Sequence, residues 1–93
     1  MDVIYGVVIR GRVQGVGYRY AMVEAATEAG ARGWVRNRHD GTVEALVQGD
    51  SAVVDAIVAW CRRGPPAAHV TSVDVELAAP ETHATRFTAK PTS

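Results

Sequence analysis

The segment Gly11-Arg12-Val13-Gln14-Gly15-Val16-Gly17-Tyr18-Arg19 combines residue types that could hold an anion. Its glycines let the backbone turn its N–H groups inward and approach a ligand closely. A helix beginning near Tyr18 adds unpaired first-turn amides and the positive end of its dipole. Arg19 is a planar fork matched to two phosphate oxygens. A cation in a first helical turn opposes the dipole, and a bound anion would offset that cost. For Gly-x-Gly alone, a glycine-rich connection with a surface arginine is the better account. The segment is neither a dinucleotide fingerprint nor a P-loop, since it lacks their glycine spacing and the Lys-Ser/Thr pair.

The elements that must carry this loop follow from hydrophobic periodicity. Val3 to Ile9 is β-branched and almost continuously apolar, which predicts a strand covered on at least one face. From Tyr18 to Ala29, Tyr18, Ala21 or Met22, Ala25 and Ala29 recur at three- and four-residue steps, predicting an amphipathic helix that Gly30 caps. Gly33 to Arg38 and Thr42 to Gln48 read as strands joined by an Asp40-Gly41 hairpin turn. Gly49-Asp50-Ser51 offers an N-cap for a second helix running to Arg62 or Arg63. Its buried stripe is Val53, Val54, Ile57, Val58 and Cys61, and Gly64-Pro65-Pro66 stops it. Val70 to Leu77 alternates as a fourth strand, and Thr85 to Ala89 suits a short fifth.

This order gives an α+β class: a ferredoxin-like α/β sandwich, βαββαβ, with two helices on one face of an antiparallel sheet. In such a split βαβ arrangement the first two strands are parallel, with the third between them. Their C-terminal ends share one edge of the sheet, about 10 Å apart. Arg19 lies just past the first end and Asn37 at the second, a gap that a phosphoryl group and one water fill. Taken singly, Asn37 is equally a turn residue ahead of Asp40-Gly41.

Composition narrows the classes. The chain of 93 residues reads as a single domain, 1–93, with 47% hydrophobic and 22% charged residues. Ten basic and ten acidic residues cancel, so no global field favours nucleic acid or anionic lipid. Residues 1–40 hold six Arg against four acids, a mild tilt toward an anionic ligand. Cys61 is alone, and His39, His69 and His83 fall in no metal-ligand spacing. No signal peptide or membrane span is read, so a soluble cytoplasmic domain is expected. Nothing points to an obligate interface, so a monomer is expected. Trp34 and Trp60 read as packing residues, and Arg10, Arg12, Arg36 and Arg38 as strand-edge cations or anion-steering groups.

Two stretches resemble known signatures. Gly11 to Arg19 is similar to the first signature of the acylphosphatase family. Gly33-Trp34-Val35-Arg36-Asn37 with Asp40-Gly41-Thr42-Val43-Glu44 is similar to the second, and Gly64 to Val70 resembles the family's connection into its fourth strand. Tyr18 stands where the family usually has Phe. The tail Arg86-Phe87-Thr88-Ala89-Lys90-Pro91 lacks the family's aromatic finish. The resemblance implies hydrolysis of an acyl phosphate, a small-molecule carboxyl–phosphate anhydride, to carboxylate and inorganic phosphate. It implies that Arg19 binds the phosphate with the backbone amides of Gln14, Gly15, Val16, Gly17, Tyr18 and Arg19. It implies that Asn37 orients the attacking water, with no metal and no cofactor.

Other classes fit the same order of elements. A binding module for phosphate or another small anion would bind without turnover. An RNA-recognition domain shares the topology, but Thr42 to Gln48 lacks the stacking aromatics such a strand needs.

Overall fold

The computed structural model describes residues 2–78 and 84–93. Along the chain these form β1 (Asp2–Arg12), α1 (Tyr18–Ala29), β2 (Arg32–Asn37), β3 (Val43–Asp50), α2 (Ser51–Arg63), β4 (His69–Leu77) and β5 (Phe87–Ala89). The sheet order is β4-β1-β3-β2-β5. β1 pairs antiparallel with β3 and β4, and β2 antiparallel with β3. The ferredoxin-like order is therefore present, with β3 lying between two parallel strands. β5 pairs in parallel with β2, Gly33 against Phe87, so the last edge of the sheet is mixed.

Strand alternation decides what each face meets. Val7 and Ile9 of β1, Val43, Ala45 and Val47 of β3, and Val35 of β2 are buried in the core against the helices. α2 presents Val54, Ile57 and Cys61 to that core, with Val53 and Val58 packed at its margin, as the sequence pattern predicts. α1 buries Tyr18, Met22 and Ala26. Ala25 and Ala29 lie only at the edge of the core, a correction to the expected stripe. Alanines crowd the helix, so polarity gives little contrast between neighbouring positions. Gly30 caps α1, its N–H reaching Thr27 O while Ala31 N–H reaches Ala26 O at 2.9 Å.

One boundary differs in a way that matters. β1 runs on through Gly11 and Arg12, which pair with Val70 and His69 after a bulge at Arg10/Gly11. A Cβ on Gly11 would stand 2.1 Å from the carbonyl oxygen of His69, and its φ is 124°. Only glycine lets the strand bend there while staying paired. The anion loop therefore starts at Val13. Among the described residues no helix is long and apolar enough to cross a membrane.

Candidate active site

Val13 is buried and roots the loop in the core. Gly15 and Gly17 have φ of 73° and 79°, while Val16 between them does not have positive φ. This alternation makes a concave run of amides, and Val16 turns its side chain toward the core. Gly17 is also the N-cap of α1 and has no side chain to occupy the first-turn N–H groups. No acidic residue lies in that turn. The positive end of the helix is thus left open to an external anion.

Arg19 sits beside this opening. Its Nη1 donates to the carbonyl of Lys90 at 3.3 Å, and its guanidinium lies 5.6 Å from the ring centroid of Tyr20. Among the described residues it pairs with no carboxylate. Other arginines are compensated: Arg10 by Asp74, Arg36 by Glu44 at 2.6 Å and Arg38 by Asp40 at 3.7 Å. Anion steering by Arg10, Arg36 and Arg38 is therefore weakened by their own partners.

Asn37 ends β2 on the helix side of the sheet, in register with Val43. Its backbone carbonyl accepts from Ser93 N–H at 3.0 Å. Its Oδ1 is buried and takes no hydrogen bond from the described residues. An unmatched buried acceptor costs about 1–3 kcal/mol, so its presence calls for a visiting donor. The turn beyond it is tightly specified. Asp40 Oδ1 accepts from Thr42 N–H at 3.0 Å and Thr42 Oγ1 at 2.6 Å, which lowers the Asp40 pKa.

Gln14 ties the loop to that turn. Its Nε2 donates to Arg38 O at 2.7 Å and Thr42 O at 2.9 Å. The side chain of Gln14 is thus a strut between the two halves of the site. Tyr18 is likewise committed elsewhere: it is buried, its Oη donates to Cys61 O at 2.7 Å, and its ring meets Trp60 edge-on at 5.3 Å.

Gly15, Gly17, Arg19 and Asn37 line a single cavity of about 120 Å³, together with Val13, Tyr18 and Tyr20. Arg19 in the first turn of α1 and Asn37 at the end of β2 thus face one space. A family model described as Acylphosphatase matches residues 5–89.

The chain belongs to the acylphosphatase family.

It is 56% identical over 69 residues to an acylphosphatase of Methylococcus capsulatus, covering 74% of this chain and 75% of that one. An acylphosphatase of Burkholderia lata is 52% identical over 83 residues, covering 89% and 85%. The crystal structure of acylphosphatase from Bacillus subtilis superposes with a TM-score of 0.90 at 34% identity, covering 97% of this chain and 99% of that one. The family match extends through β5 to Ala89, beyond the stretch whose motifs are recognisable by eye. Family membership supports acylphosphatase-type hydrolysis of acyl phosphates as the general chemistry.

Set against the acylphosphatase signatures, Arg19, Asn37, Gly15, Gly17 and Tyr18 reach the cavity wall, and Gln14 and Val16 do not line it. Tyr20 does line it, and the signatures alone do not single it out. An aromatic off the buried stripe, directly after the arginine, is the signal that could have found it. His39 is exposed and lies outside the cavity lining. Among the described residues no group of three or more His, Cys, Asp or Glu could hold a metal ion. His83 lies outside the described residues. Trp34 carries Arg36 at 4.9 Å and Lys90 at 4.7 Å from its ring centroid, which leaves it a poor stacking platform for a base.

Proposed function

We propose that this protein hydrolyses acyl phosphates in the cavity at the head of α1, with Arg19 binding the phosphoryl group and Asn37 orienting the attacking water. The observation that carries this reading is the shared cavity of Arg19 and Asn37, whose strand ends are two inter-strand spacings apart, about 10 Å. Amides from Gln14 to Arg19 supply the remaining donors, directly or through the curvature they impose.

Few groups suffice for this reaction. The leaving group is a carboxylate with a conjugate-acid pKa of about 4, so no general acid is required. Phosphoryl transfer through a loose transition state asks mainly for positioning and charge stabilisation. Arg19 and the helix amides supply the charge term. Asn37 Oδ1 accepts a proton-bearing edge of the water and aims its oxygen at phosphorus. As the new P–O bond forms, the bond to the acyl oxygen breaks and the carboxylate leaves. The water's proton passes to a phosphate oxygen of the substrate, since among the described residues no carboxylate or imidazole lines the cavity. The reaction runs without a metal ion.

Purified protein with benzoyl phosphate tests the roles. Arg19→Gln is expected to stay folded and lose on the order of 100-fold or more in kcat, as oxyanion-hole deletions do. Asn37→Ala is expected to fold and lose nearly all turnover; a folded variant with normal kcat would remove the water-positioning role. A chelator should leave the wild-type rate unchanged, and loss restored by magnesium would count against metal independence. Phosphate binding without turnover would identify an anion-binding module instead.

A further inference from the structure

The phosphoryl reading leaves the acyl half of the substrate without a partner, and Tyr20 is placed to be it. The residue is 71% exposed, yet it lines the same cavity as Arg19 and Asn37. Exposure alone decides nothing, since single surface aromatics are common. Position does. The cavity opens to solvent, with Gly15, Gly17 and Tyr20 exposed along its lining. An acyl substituent on a phosphoryl group held at Arg19 extends along that exposed lining toward the mouth. Val13 and Tyr18 are already buried in the core, and Gly15 and Gly17 have no side chain to offer. In-line displacement also sets the leaving group opposite the water. With the water at Asn37 on β2, the acyl group departs toward another wall, and α1 supplies that wall's apolar surface.

We infer that Tyr20 is a specificity-determining residue whose exposed ring packs against the acyl substituent, so that the preferred substrates are aryl or bulky acyl phosphates. This rests on the phosphoryl-site reading above. Contact with an acyl group is made equally in the ground and transition states, so it acts on KM and leaves kcat nearly unchanged. Its size is that of one apolar contact, about tenfold in kcat/KM. The guanidinium of Arg19 beside the ring gives a second path by which Tyr20 could act, through orienting Arg19.

The two paths separate on a pair of substrates. Wild type, Tyr20→Ala and Tyr20→Phe are assayed with benzoyl phosphate and acetyl phosphate, with folding checked by circular dichroism. The wild type is expected to prefer benzoyl phosphate. Tyr20→Ala is expected to lose about tenfold in kcat/KM for benzoyl phosphate, mostly through KM, with acetyl phosphate changed less than about threefold. Tyr20→Phe keeps the ring and should keep the preference. Equal losses on both substrates would overturn the proposal in favour of Arg19 orientation. An unchanged ratio in Tyr20→Ala would overturn it outright while leaving acyl phosphate hydrolysis standing. A wild type that turns over neither substrate would overturn the phosphatase reading itself, and this inference with it.

Discussion

Pro65 follows α2 with no N–H to give, so the carbonyl of Cys61 lacks its usual i+4 donor. The hydroxyl of Tyr18 replaces it at 2.7 Å. Phe at this position, the residue usual in the family, would leave that buried carbonyl unmatched beside the same proline. Tyr18→Phe is therefore expected to lower stability by about 1 kcal/mol, a fall in Tm of roughly 4–8 °C for a domain of this size. An unchanged melting curve would show that the carbonyl finds another donor. That Arg19 and Asn37 come to one cavity was legible in the sequence, because their residue types are informative at the junctions they occupy. The strut from Gln14 and the place of Tyr20 in the cavity wall were not. Gln14 donates to carbonyls 24 and 28 positions away, and Tyr20 meets the cavity only once α1 is docked beside the end of β2.

At the scale of elements, most of the fold was readable from period and punctuation. α1 from Tyr18 to Ala29 and the Asp40-Gly41 hairpin stand where alternation and turn chemistry put them. The bulge at Gly11 was hidden, because its cause is the backbone of His69 on a strand distant in sequence. The parallel docking of β5 was equally hidden: a three-residue strand carries too little pattern to declare its direction. The link between the anion loop and the β2–β3 turn is testable at this scale. Gln14→Ala removes two donors, although Arg38 O still accepts from Gly41 and Thr42 O from Arg38. The expected cost is about 1–2 kcal/mol in urea unfolding. kcat should fall several-fold with a smaller change in KM, because the turn carrying Asn37 loses its brace. Unaltered kcat would show that the two halves hold their spacing without Gln14.

The whole molecule has a predictable alkaline limit. Burial pushes the Cys61 thiol up to about 11 and raises the Tyr18 phenol well above its usual range. Both groups keep their protons in the folded state at pH values where the unfolded chain has lost them. The stabilisation is fully present below the unfolded thiol's pKa of about 8.5 and is lost as pH rises through the folded value. The urea midpoint is expected to stay level from pH 7 to 8 and to decline from about 9 to 11. Cys61→Ala should flatten the first part of that decline, and a midpoint constant up to about pH 11 would contradict it. The guanidinium of Arg19 rests on a carbonyl 71 positions further along, and Asn37 is bonded through its backbone to Ser93. Closing loops of that span costs chain entropy that the local contacts of a helix do not, which makes them slower to form. Regain of turnover after dilution from urea should therefore lag the recovery of helix signal, making the enzyme its own reporter of the last docking step.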